Sequence, residues 1–135
     1  MSEETATDYR RHTFAKGDVI LKEGDQGEFT YLILQGKVEI RKGYLGDNPV
    51  TLATLGPGNV IGELSLFDGT VHMATVVAVE NTEVSAMSRD EFMRLVDSMD
   101  PVMKGIVGMM VSRLRQVVGE LLSDKGDVNW ADWKK

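Results

Sequence analysis

Cysteine is absent from the 135 residues, and histidine occurs only twice, at His12 and His72. The first absence excludes disulfide staples, cysteine-ligated zinc, iron–sulfur clusters and thiol nucleophiles. The second leaves two imidazoles far apart in sequence. A metal-dependent cupin-type enzyme needs a histidine cluster with an acidic ligand on neighbouring strands, so that class is excluded as well. No G-x-S-x-G occurs and no Ser-His-Asp constellation stands out. The expected protein is therefore not an enzyme, with no catalytic residue and no metal site.

Long apolar runs are also missing. No stretch approaches the roughly 18 uninterrupted apolar residues of a membrane span. The opening M-S-E-E-T-A-T-D-Y-R-R-H is charged and lacks the apolar centre of a secretory signal. A cytoplasmic protein without membrane contact is expected. Positive charge is scarce: 15 Lys and Arg stand against 21 Asp and Glu, a formal charge of −6 that opposes attraction to nucleic acid or anionic lipid. Small molecules and other proteins are the expected partners.

What is present suffices for one domain, since 42% of the residues are hydrophobic and the length is too short for two ordinary domains. Residues 1–12 are polar and read as a short helix or a loose N-terminal segment, with His12 exposed. From Thr13, β-rich stretches alternate with glycines: F-A-K-G-D-V-I-L, the loop K-E-G-D-Q-G-E, then F-T-Y-L-I-L-Q-G-K-V-E-I-R-K-G. The last reads as a hairpin turning at Gln35-Gly36, because Val38 and Ile40 alternate with Lys37, Glu39 and Arg41. Val50 to Leu55 is a further strand, broken by Gly56-Pro57-Gly58. Met73 to Val79 reads as a central strand buried on both faces, and Glu83 to Ala86 alternates again. About seven or eight short strands over residues 13–87 predict a mainly β fold with C-terminal helices: a jelly-roll, or double-stranded β-helix, rather than a βαβ arrangement.

At Ser88 the period becomes helical. Ser88-Arg89-Asp90-Glu91 matches a capping box, and Phe92, Leu95, Val96 and Met99 follow on one face. Asp100-Pro101 supplies an N-cap and a first-turn proline, so a second helix should run to about Asp124, with Gly126 beyond it. Two helices thus occupy 88–125, and a tail, 126–135, follows. Met103, Val107, Met110, Leu114, Val117 and Leu121 recur at spacings of four and three, a seam that either pairs with its copy or packs on the sandwich. Gly105, Gly108 and Gly119 weigh against this helix at about 1 kcal/mol each relative to alanine. Trp130 and Trp133 read either as part of a loose end or as functional indoles, folded back as a lid or filling a partner's groove. The tail has no room for a helix-turn-helix, so no DNA reader is expected.

Between strands and helices lies I-G-E-L-S-L-F-D-G-T-V-H-M-A-T-V, Ile61 to Val76. A glycine leads into a short helical turn, so backbone N–H groups at Gly62 to Ser65 can point outward without intrahelical partners. Such a corner suits an anion, while Glu63 suits a sugar hydroxyl, and together they suggest a sugar phosphate.

G-E-L-S-L, followed after a loop by A-T-V, resembles the phosphate-binding cassette of the cyclic-nucleotide-binding domain family, which includes the catabolite activator proteins and the regulatory subunits of protein kinase A. The family pattern runs roughly F-G-E-L-A-L, a few loop residues, then P-R-A-A-T-V. Gly62, Glu63, Leu64, Leu66, Ala74, Thr75 and Val76 match, with Ser65 for the alanine and Ile61 for the aromatic. Val71, His72 and Met73 depart, standing for the proline, the phosphate-gripping arginine and a small ligand-touching residue. The resemblance spans roughly Phe14 to Met99.

The resemblance implies a β-roll whose ligand, a cyclic nucleotide or another small anion, meets Gly62, Glu63, Leu64, Ser65, His72, Met73 and Thr75. Phosphate would sit on the turn, Glu63 would take the ribose hydroxyl, and the helices would rearrange over the base. It also implies a homodimer through the helix carrying Met103 to Leu121. An arginine fork gives two charge-assisted hydrogen bonds where a neutral imidazole gives one. The substitution should therefore weaken cAMP or cGMP binding by about 1.5–3 kcal/mol, or roughly ten- to a hundredfold. His72 itself reads as a weaker phosphate ligand, as a ligand only when protonated, or as part of a vacated loop. A sensory or regulatory module is the expectation. The alternative is a ligand-independent interaction or dimerisation domain whose cassette is vestigial.

Overall fold

Short strands separated by turns cannot each bury a face alone, and here the chain deals them out to two facing sheets. The computed structural model describes residues 10–44 and 46–123, the last three of them by backbone only. Among these residues lie β1 (Arg10–Phe14), β2 (Val19–Leu21), β3 (Phe29–Gln35), β4 (Val38–Lys42), β5 (Val50–Leu55), β6 (Val60–Ile61), β7 (Thr75–Ala78) and β8 (Thr82–Ser88). They form two four-stranded sheets, in the orders β1-β8-β3-β6 and β2-β7-β4-β5, with every pairing antiparallel. Helices α1 (Glu63–Asp68), α2 (Arg89–Asp97) and α3 (Pro101–Ser123) complete the described chain. The fold is the expected jelly-roll with helices after it.

Both sheets contribute to one core: Ile33, Ile61 and Val84 from the first meet Ile20, Leu21, Val38, Val76 and Ala78 from the second. β7 is buried at all four positions and lies between β2 and β4, as its β-branched composition requires. It starts at Thr75 rather than Met73. The backbone just before it is tied to the β2–β3 loop instead, through Gly24 N–H to His72 O and His72 N–H to Asp25 O, both 2.9 Å.

Two expectations about the roll need correction. β3 and β4 are not a hairpin, because β3 pairs with β6 and β8 while β4 pairs with β5 and β7. Gln35-Gly36-Lys37 is a corner passing the chain from one sheet to the other. Gly36 has φ 103°, and a Cβ there would stand 2.5 Å from Thr82 Oγ1 and 2.6 Å from Asn81 O. Period-2 alternation reports burial, not which strand supplies the ladder. Likewise strand pairing already includes Arg10 to His12, ahead of Thr13. β1 is a sheet edge with four exposed positions, so its charged residues show no apolar alternation.

The helices start where their caps lie. Ser88 Oγ accepts from Glu91 N–H at 3.2 Å and Glu91 Oε1 accepts from Ser88 N–H at 2.9 Å, the reciprocal box. Val96 is buried, with Phe92 and Met99 half-buried, but Leu95 is 51% exposed, contrary to its assignment to the buried face. α2 touches the protein along the narrower strip of Phe92, Val96 and Met99. Asp100 Oδ1 accepts from Val102 N–H at 2.8 Å and opens α3.

α3 passes along α1 and the loop that follows it. A Cβ on Gly108 would meet the Phe67 ring at 3.6 Å, and one on Gly119 would meet Met73 Cε at 3.5 Å. Two of the interior glycines therefore sit where the helix approaches the cassette. No described helix is long and apolar enough to cross a membrane.

Candidate ligand-binding site

Gly62 ends the short β6 and caps α1 in a left-handed conformation, φ 85°, which a side chain would strain. A Cβ there would also lie 2.9 Å from Phe29 O. No N-cap side chain serves this helix start; the Glu63 N–H meets its own carboxyl, and the next N–H groups lack intrahelical partners. Beneath, Leu66 is fully buried and fastens the turn to the roll.

The turn opens onto a cavity of about 250 Å³. Gly62, Glu63, Leu64 and Ser65 form one side, and His72, Met73 and Ala74 another. Leu21, Ile40, Leu55, Val60, Ile61 and Val76 give apolar walls, and Arg115 reaches in from α3. Six of the seven residues expected to meet a ligand are thus gathered here, the exception being Thr75. Strand geometry alternates faces, so Ala74 and Val76 turn to the cavity and Thr75 turns away. Its buried hydroxyl accepts from Glu23 N–H at 3.0 Å, which leaves its own proton to donate elsewhere.

Glu63 keeps part of its side chain in solvent, yet protein crowding its carboxyl raises its pKa, an effect its own backbone N–H partly offsets. On this exposed residue the carboxylate can still gain from an added donor such as a hydroxyl. Ser65 is buried, and its Oγ lies 2.7 Å from His72 Nδ1 and 3.3 Å from Gly62 O. Its single proton can go to only one of them. The ring of His72 is thereby turned inward, 8% exposed. Burial lowers its pKa, Arg115 adds to the effect and Asp25 opposes it. The imidazole is therefore held away from the protonated form that would serve an anion.

Arg115 was not foreseen. Its Nε donates to Asp68 Oδ2, and Nη1 donates to Val71 O at 3.3 Å. Asp68 also accepts from Thr70 N–H at 3.1 Å and Thr70 Oγ1 at 2.6 Å. Burial raises the pKa of Asp68, but the bonds from Thr70 and Arg115 outweigh it and the net shift is downward. The available signal was spacing, since Gly108, Arg115 and Gly119 fall seven and four residues apart on one helical face.

The seam on α3 divides. Met103, Met110, Leu114 and Val117 are exposed, Val107 is half-buried, and the side chain of Leu121 lies outside the described residues, as do Trp130 and Trp133. Among the described residues no group of three or more His, Asp or Glu side chains could hold a metal ion.

The cyclic nucleotide-binding domain family matches residues 11–99. The cyclic AMP receptor protein of Thermus thermophilus is 36% identical over 113 residues, 84% of this chain and 52% of that protein. A cAMP-dependent protein kinase regulatory subunit of Pyricularia oryzae is 35% identical over 91 residues, 67% of this chain and 23% of the subunit. The structure of an EAL enzyme in its cAMP-bound form superposes with a TM-score of 0.74 at 28% identity, covering 84% of this chain and 30% of that one. The chain thus spans about half of one curated relative and about a quarter of the other. The roll, the cassette corner and the extent of the match together establish that this chain belongs to the cyclic-nucleotide-binding domain family.

Proposed function

We propose that this domain is a non-enzymatic sensory module that binds a cyclic nucleoside monophosphate with reduced affinity. The observation supporting this most is that the uncapped turn at Gly62 and the carboxylate of Glu63 share one cavity with apolar walls. Main-chain N–H groups suit the phosphate, Glu63 suits the ribose hydroxyl, and the walls suit a base. Relatives named for cyclic AMP support the same ligand class. The reduced affinity follows from His72, whose ring faces Ser65 and supplies no fork.

The ligand signals through α3, which touches the cassette at Phe67, Asp68 and Met73. A ligand favouring one position of that helix shifts its population, whereas equal affinity for both would transmit nothing. The exposed apolar row on α3 supports self-association as the output surface.

Calorimetric titration with cyclic AMP and cyclic GMP tests the proposal on the wild type, Glu63→Gln and His72→Arg. Weak wild-type binding, weaker still in Glu63→Gln and about ten- to a hundredfold tighter in His72→Arg, is expected. Absence of binding in both the wild type and His72→Arg would remove the ligand and leave an interaction domain.

A further inference from the structure

We infer that Arg115 is the phosphate-binding cation of this site, delivered from α3 rather than from the cassette loop. The inference rests on the ligand class proposed above. Among the described residues lining the cavity, Arg115 is the one arginine or lysine, and it shares that lining with Gly62, Glu63 and Ser65. Lys42 comes near, with Nζ 3.4 Å from Met73 O, but it is held by Glu23 at 2.5 Å and does not line the cavity.

The present anchors of Arg115 are exchangeable. Asp68 and the carbonyl of Val71 hold its guanidinium through one carboxylate oxygen and one carbonyl oxygen. Its release leaves Oδ1 of Asp68 with both Thr70 hydrogen bonds, and Oδ2, on an exposed residue, can turn to water. A cyclic phosphate monoanion on the Gly62 turn offers two oxygens to the planar fork, a geometry a single carboxylate oxygen and a carbonyl do not match. Swapping Asp68 for phosphate would also change what fastens α3 to α1. The substitution at His72 and the position of Arg115 are then two halves of one rearrangement: the cation has moved from the loop to the helix that must respond.

The test is calorimetric titration of the full chain with cyclic AMP and, separately, with adenosine, which keeps base and ribose but lacks the phosphate. Arg115→Gln should weaken cyclic AMP about ten- to a hundredfold and leave adenosine unchanged. Arg115→Lys should restore part of the loss, and Asp68→Asn, which removes a competitor for the guanidinium, should tighten cyclic AMP. If the wild type binds and Arg115→Gln binds equally well, or loses both ligands alike, Arg115 is only a fastener of α3 and the proposed function stands. Should Arg115→Gln fail to fold, Asp68→Asn decides: tighter binding supports the assignment, while unchanged or weaker binding overturns it. No cyclic AMP binding by either the wild type or His72→Arg overturns the assignment and the function together.

Discussion

Nδ1 of His72 stands 2.7 Å from Oγ of Ser65, with both residues buried, so the side chain replacing the expected arginine is built into the wall of the roll. Because burial depresses the pKa of His72 below the ordinary imidazole value of 6.5, the unfolded chain takes up that proton first. The sign follows from linkage: the contribution of the neutral ring is present above the unfolded pKa and is lost as pH falls toward the folded one. Glu63 acts oppositely, its raised pKa favouring the folded state as pH drops toward the ordinary glutamate value of 4.5. Glu23 and Asp68, both shifted down, lose their contributions only below the ordinary values of 4.5 and 3.8. The urea midpoint should therefore be lower at about pH 5.5 than at about pH 7.5, and His72→Gln should flatten that difference. An equal slope in the variant would assign the effect to another group.

Glycine substitutions should divide by environment. At Gly36 an alanine must adopt φ 103° and meet Thr82 and Asn81 at 2.5–2.6 Å, so Gly36→Ala should cost about 2 kcal/mol or more in chemical denaturation. At Gly105, inside α3, a Cβ meets nothing within 4 Å, so Gly105→Ala should gain about 0.5–1 kcal/mol from helix propensity. Loss of stability in Gly105→Ala would mean that this face of α3 is covered in solution.

These two positions also show how far the sequence could be read. The capping box at Ser88, the Asp100-Pro101 helix start and the fully buried β7 were legible because local rules determine them. The corner at Gly36 was not, since a glycine after alternating residues serves a hairpin or a crossover equally well, and only long-range pairing with β8 separates them. At the site, Gly62 to Ser65 stood out as a motif, whereas the direction in which Thr75 points was not legible, because a motif match carries no strand phase. Arg115, 44 residues from Val71, could not be placed without knowing which side of α3 faces the cassette.

Leu66 is fully buried under the Gly62 turn that borders the cavity. Leu66→Ala should cost about 2–5 kcal/mol, because the roll around it closes only partly over the space left. The urea midpoint measures the cost. A loss under about 1 kcal/mol would mean that α1 settles into the gap.

On α3, Val102, Met103, Ile106, Met109, Met110, Leu114 and Val117 are all more than a third exposed, and they form the outer side of the helix whose other side meets α1. An uncovered apolar row of this extent is costly in water, and the four-and-three spacing of Met103, Val107, Met110, Leu114 and Val117 suits a second copy of the same helix. Sedimentation equilibrium should therefore report a dimer. Met110 is 63% exposed, so Met110→Glu should leave the protomer's fold and melting behaviour at low concentration unchanged. Placing two like charges across the seam should raise the dimer dissociation constant at least about tenfold. A wild-type mass that stays monomeric over a wide concentration range would reject pairing through this face, and the row would then belong to a different partner.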